Sequence, residues 1–194
     1  MRILAILASL ILLLNSASLA DESYAFGVGP QMGVPLQSGT FKSHTTWGAG
    51  VHAHFRYLPR DEWSISGSTG YVTWSRDKVM GDSTTTVREY DTIPILLGFQ
   101  YYRHLKRDIY WYVSGEAGFR FYNINVKEHD LDGALIGQEN ASETKTSIAP
   151  GVGLMYRVSD YVYVDAGLRL EYVGTNLSYV SLALVVGYRP FSEY

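Results

Sequence analysis

Residues 161–173 read YVYVDAGLRLEYV. Val162, Val164, Ala166, Leu168, Leu170 and Tyr172 are apolar, and between them stand Tyr163, Asp165, Gly167, Arg169 and Glu171. Strict alternation over this length is the signature of a β-strand with one apolar face and one polar, charged or glycine face. The neighbouring segments repeat it. Ile148, Val152, Leu154, Tyr156 and Val158 alternate with Ala149, Gly151, Gly153, Met155 and Arg157. Val180, Leu182, Leu184, Val186 and Tyr188 alternate with Ser181, Ala183, Val185, Gly187 and Arg189. Consecutive strands that share one greasy face must belong to one sheet, and the rest of the chain extends it.

A chain of 194 residues with net charge −3 and no cysteine suits one domain without disulfides or a thiolate metal site. Mild acidity and the lack of a basic stripe argue against a nucleic-acid partner. Nothing calls for a cofactor. Nineteen Gly and sixteen Tyr are the informative excess. In strand-like segments they point to a crowded barrel interior and aromatic girdles. The first twenty residues have the form of a signal peptide: Arg2, an apolar run over 3–14, and Ser18-Leu19-Ala20 as the cleavage signal. The expected division is a signal peptide over 1–20 and a barrel domain over 21–194. After Ala20 no apolar run approaches about 18 residues, so no transmembrane helix is expected.

The alternation predicts eight strands, at about 24–34, 46–58, 63–74, 87–102, 109–126, 146–158, 161–173 and 177–189. Between them lie polar loops over 35–45, 75–86 and 127–145, a turn over 59–62, short turns at 104–108 and 159–160, and a short loop at 174–176. Long and short connections alternate, which places the long ones outside and the short ones, with both termini, on the periplasmic side.

Which face looks outward decides the class. In a soluble eight-stranded barrel the apolar residues fill the inside. Here the other face carries many Gly and a nearly balanced set of charges, Arg56, Arg120 and Arg169 against Glu116, Asp165 and Glu171, and almost no Lys. That suits a narrow interior better than a solvated surface. Tyr57, Trp63, Tyr101, Trp111 and Tyr156 end the apolar face near the short turns, as a membrane-interface girdle would. The fold class is therefore all-β, an eight-stranded antiparallel up-and-down transmembrane barrel.

Ile93-Pro94-Ile95-Leu96-Leu97-Gly98-Phe99, a short turn, and then Tyr110 to Phe121 (YWYVSGEAGFRF) resemble the eight-stranded outer-membrane β-barrel family, the small porin-like barrels of the outer-membrane-protein-A/X type. The resemblance covers the whole chain after the signal segment. It implies the outer membrane of a Gram-negative envelope, with membrane lipid, lipopolysaccharide and the barrel-insertion machinery as partners. The chain departs from the pattern at its end. Such barrels finish in an aromatic that closes the last strand, whereas here Pro190 precedes Phe191 and Tyr194 is last. No peptidoglycan-binding domain follows, so a wall-tethering role is not expected.

Several constellations are candidates for function. Unpaired charges in a tight lumen are costly, so Arg56, Glu116, Arg120, Asp165, Arg169 and Glu171 are expected to pair and shut the barrel; a narrow ion path is the alternative. His52 and His54 share the inward face and form a polar pair without an identifiable third metal ligand. Glu128, Asp130, Asp132 and Gly133, with Glu139 beyond, have the spacing of a weak calcium loop, although a solvated acidic loop explains them as well. A resemblance to palmitoyl-transferring lipid A acyltransferases implies a His from the first outer loop and an Asp-Ser pair from the second. His44, Asp82 and Ser83 occupy those loops, but the family's amphipathic N-terminal helix is missing. The His-x-Ser of a lipid A deacylase is absent. The expected function is non-enzymatic: a structural or surface-interaction barrel working through its outer loops, with a narrow channel as the alternative and the acyltransferase behind it.

Overall fold

The structure, a computed structural model, describes residues 23–36, 46–60, 62–80, 84–130, 132, 134–174 and 177–189. Eight strands follow one another: β1 (Ser23–Pro35), β2 (Gly48–Arg60), β3 (Trp63–Met80), β4 (Thr84–Lys106), β5 (Ile109–Asp130), β6 (Leu135–Arg157), β7 (Val162–Val173) and β8 (Leu177–Tyr188). Each pairs antiparallel with the next, and β1 pairs with β8, so the sheet closes. Closure leaves no free edge in the barrel wall, which is what a sheet surrounded by hydrocarbon requires.

The alternation sorts side chains between lipid and lumen. Along β7 the odd-numbered residues are buried and the even ones face out, with Ala166 and Leu170 half-buried among them. Leu168 is 48% exposed and lies between Val152 of β6 and Leu182 of β8 in the ladder. On β5 the outward apolar run extends from Trp111 to Phe121. That is about 34 Å of strand at about 3.4 Å per residue. At a tilt of about 45° it covers about 24 Å of height, matching the usual apolar band. Aromatics edge the band near the short turns. Tyr101, Trp111, Tyr156, Tyr161 and Tyr188 face outward there, Tyr24 packs on Tyr57, and Tyr161 stacks on Tyr188.

Two predicted loops are largely strand. Ladder pairing continues from Trp74 to Met80 on β3, from Tyr90 back to Thr84 on β4, from Tyr122 to Asp130 on β5, and from Thr146 back to Leu135 on β6. The stretches 75–86 and 127–145 are therefore mostly β-structure: β3 ends at Met80 and β4 begins at Thr84, while β5 ends at Asp130 and β6 begins at Leu135. They escape a hydrophobicity-based reading because a sheet standing in water on both faces needs no apolar stripe; its ladder hydrogen bonds hold it. β2 and β4 likewise run further than expected, through Arg60 and Lys106, each past a register shift near its end. Strands β3 to β6 thus rise beyond β1, β2, β7 and β8 as a four-stranded projection. β6 pairs with β7 only from Ser147 onward.

At the two ends of β7 the turns are built differently. Arg157 bridges Asp160 at 2.5 Å, while Val158 and Ser159 donate backbone hydrogen bonds to the Val162 carbonyl. After β7 the chain reverses at Gly174, whose φ of +57° is the left-handed conformation glycine adopts without strain.

The candidate functional site in the barrel lumen

The lumen is built in three tiers. At the end below the projection, Val72, Trp74, Tyr90, Tyr122, Val173 and Tyr179 form a buried apolar layer. At the short-turn end Ala25, Leu58, Tyr102, Tyr112, Met155 and Tyr163 form another. Between them lie the charged side chains Arg56, Glu116, Arg120, Asp165, Arg169 and Glu171, all buried.

These six meet in pairs across the lumen. Arg56 of β2 bridges Asp165 of β7 at 2.5 Å. Arg120 of β5 bridges Glu171 of β7 at 2.7 Å, and Arg169 of β7 bridges Glu116 of β5 at 2.9 Å. β7 supplies one member of every pair. Its charged residues are all odd-numbered, so a single strand face aims Asp165, Arg169 and Glu171 into the lumen. Removing charges from water is expensive, and an ion pair alone seldom offsets it; further hydrogen bonds must satisfy the remaining lone pairs. The carboxylates receive them, whereas Nε and Nη1 of both Arg56 and Arg120 are buried with no hydrogen-bond acceptor. Glu116 accepts from Ser66 at 3.0 Å and Ser68 at 2.7 Å, both on β3. Tyr112 donates to Asp165 at 2.7 Å, and Ser181 donates to Glu171 at 3.1 Å.

The aromatic tiers serve the charges as well. The Arg56 guanidinium lies 5.4–6.0 Å from the ring centres of Tyr102, Tyr112 and Tyr163. That of Arg120 lies 5.1 Å from Tyr179. In a desolvated setting such contacts stabilise a cation by about 2 kcal/mol. Sequence reasoning missed these tyrosines as a cage. Their signal was parity, since Tyr112 and Tyr163 sit on the inward register, but parity does not say which charge they surround. The glycine sockets that admit them were equally hidden. A methyl group at Gly153 would collide with the Tyr112 ring, and one at Gly187 with the Tyr163 ring. Gly153→Ala is therefore expected to push Tyr112 off Asp165 and destabilise the barrel by about 1–3 kcal/mol, the cost of overpacking. Urea unfolding in phospholipid vesicles checks this, and wild-type stability would contradict it.

His52 and His54 lie side by side with ring centres 5.6 Å apart. Arg169 approaches both ring nitrogens of His52 at 2.8 and 2.9 Å. Arginine only donates, so His52 accepts and serves as a neutral partner. His54 hydrogen-bonds the Tyr163 hydroxyl at 2.7 Å. Among the described residues no group of three or more His, Cys, Asp or Glu is placed to hold a metal ion. Glu128 and Glu139 stand on the paired strands β5 and β6, and Asp130 accepts from the backbone N–H of Asp132. Gly133, His44, Asp82, Ser83, Phe191 and Tyr194 lie outside the described residues.

A cavity of about 20 Å³ lies in the middle tier, lined by His52, His54, Arg56, Glu116, Asp165 and Arg169 among others. A site of that size holds about one water molecule.

Barrels of this architecture recur among solved structures. The chain is similar to Ail, the attachment invasion locus protein of Yersinia pestis, solved in complex with the heparin analogue sucrose octasulfate. The identity is 16% and the TM-score 0.58, over 87% of this chain and 98% of that one. It is similar to OprG of Pseudomonas aeruginosa, with 13% identity and a TM-score of 0.55 over 88% of this chain and 96% of that one. A major outer membrane protein of Thermus thermophilus matches with 13% identity and a TM-score of 0.53, over 86% of this chain and 99% of that one. At these identities the likeness is one of fold. No curated protein sequence matches the chain. The family model for the outer membrane protein beta-barrel domain matches residues 6–189, nearly the whole sequence, and the closed eight-stranded ring with its outward apolar band is what that domain requires: the chain belongs to the outer-membrane β-barrel family.

Proposed function

We propose that this outer-membrane barrel is a non-enzymatic surface-interaction protein whose lumen is shut by ion pairs and whose projecting sheet meets partners outside the cell. Residues 1–20 act as the signal peptide that exports it. The observation carrying this reading is the filled lumen. Three cross-barrel ion pairs lie between two apolar layers, and the cavity beside them measures about 20 Å³. A hydrated ion needs a continuous path, and the interior of an eight-stranded barrel is only about wide enough for its own side chains.

The work then falls to the part outside the band. A sheet of paired strands is a stiffer mount than a loop, and binding residues are usually carried on such rigid supports. Residues 123–145 carry Glu128, Asp130, Asp132, Glu139 and Glu143 against Lys127 and Lys145. This hairpin therefore suits a neutral or cationic partner and repels a polyanion.

Planar-bilayer recording of the purified protein tests the closed lumen. Silence at neutral pH is expected. Reproducible steps that change in an Arg169→Ala variant would make the lumen a pathway, and the channel reading would replace this one.

A further inference from the structure

The wall of the lumen cavity is richer in hydrogen-bond donors than in acceptors. The four carboxylate oxygens around it are all engaged. Glu116 accepts from Ser66, Ser68 and Arg169, and Asp165 accepts from Arg56 and Tyr112. The side-chain oxygen of Gln100 accepts from Tyr102. Donors are left over. Nε and Nη1 of Arg56 are buried without a partner, in a side chain that lines the cavity and is 2% exposed. His52 adds another. Arg169 stands 2.8 and 2.9 Å from its two ring nitrogens, yet a neutral imidazole accepts at one nitrogen and carries hydrogen at the other. The N–H of His52 therefore meets a second donor instead of an acceptor.

A water molecule accepts from such groups but brings two hydrogens of its own. A monatomic anion takes up about the space of one water, accepts from several directions and brings none. Its charge is the obstacle, because an unpaired ion in a low-dielectric interior is costly. Arg56 and Arg169 are already balanced by Asp165 and Glu116. The groups that can restore the balance are His52 and His54, since histidine changes its charge between about pH 5 and 8. His52 faces Arg169, Arg56 and Arg120, and His54 faces Arg56, Arg169 and the Tyr163 hydroxyl. Glu116 and Tyr112 of β5 and Asp165 of β7 complete the charged and titratable part of the wall; among the described residues β4 and β8 bring only the neutral Gln100, Ala183 and Val185 to it. A proton on His52 by itself stands against Arg169 as a like charge. An anion between the two attracts both, and a proton and an anion that enter together leave the net charge of the tier unchanged. We infer that the cavity is a proton-linked halide site, in which Arg56 and Arg169 hold the anion and the pair His52 and His54 takes up the accompanying proton. The lumen stays shut with the ion in place, so conductance at neutral pH reports on the closure and not on this site.

The test uses folded protein extracted from outer membranes. Crystals are grown in sodium bromide at about pH 5 and at about pH 8, the two ends of the histidine range, and the bromide is located by its anomalous scattering. The expected result is one bromide between Arg56, Arg169 and His52 in the acid crystals and none there in the alkaline ones. No bromide in the cavity at the acid end would overturn the inference. Equal occupancy at both ends would overturn it too, because the anion would then bind without the proton. A second measurement reads the rate of denaturant-induced unfolding in sodium chloride and in sodium gluconate at equal ionic strength, gluconate being too large for the cavity. Chloride should slow unfolding severalfold relative to gluconate at the acid end and not at the alkaline end. The variant His52→Gln, His54→Gln keeps hydrogen-bonding side chains that do not titrate, and it should lose the chloride effect. Retention of that effect in the variant would overturn the inference, since a general action of the salt would then be its source. The bromide positions in the wild type decide alone if the variant does not fold.

Discussion

Arg120→Met is expected to destabilise the barrel by about 3–5 kcal/mol, because it removes one partner of a buried ion pair and leaves the other charge without compensation. Arg120 is fully buried, and Glu171 is 1% exposed. Once the guanidinium is gone, Glu171 retains only Ser181 as a donor among the hydrogen bonds described for it. Methionine keeps most of the volume and the apolar contact with Tyr179, so the loss reports charge rather than packing. The double variant Arg120→Met, Glu171→Gln should recover most of the stability, since replacing both charges of a buried pair is often close to neutral. Guanidinium unfolding in vesicles, followed by tryptophan fluorescence, gives both values. If the single variant costs less than about 1 kcal/mol, typical of an exposed pair, water reaches the site and the lumen is not closed.

Leu168→Arg is expected to cost about 2–4 kcal/mol, the figure for a cation on the lipid face near the bilayer midplane. Leu168 lies midway along the outward residues of β7, flanked in the ladder by Val152 and Leu182. The arginine cannot turn inward, because the pleat fixes the direction of the side chain. Val162, near the short-turn end of the same face, supplies the control: Val162→Arg should cost about 0–1 kcal/mol, since the penalty falls toward the interface. Equal costs at the two positions would mean that the band is not where the outward residues put it.

The barrel was legible because hydrocarbon outside and a narrow polar lumen inside impose opposite demands on neighbouring residues. Period two is therefore written plainly along β7, β8 and the lower half of β6. The pattern fades where both faces meet water. From Leu135 to Lys145 every side chain is exposed or half-exposed, and that stretch resembles a loop in hydropathy although it is strand. Inside the lumen, parity assigns Arg56, Glu116 and Asp165 to one face, but not their partners. Pairing depends on strand stagger around the ring, which joins Arg56 to a residue 109 positions away. The tyrosine cage around Arg56 has the same origin: Tyr102, Tyr112 and Tyr163 come from three strands and converge only when the ring closes.

That β7 holds half of every lumen pair has a consequence for how the protein is made. Arg56, Glu116 and Arg120 lie on strands synthesised earlier, and their counterions Asp165, Arg169 and Glu171 all arrive on the penultimate strand, 51 to 109 positions later. A sheet built from the first six strands carries uncompensated charge on its concave side and stays wet there. Drying of the interior and closure of β8 onto β1 are then nearly the same event. Loop-closure entropy is met before the non-local contacts offset it, and the half-built barrel passes that interval with an open edge and charges that hydrocarbon cannot accept. Assembly of this chain is therefore gated by the arrival of its C-terminal hairpin, whatever the stability of the strands already in place.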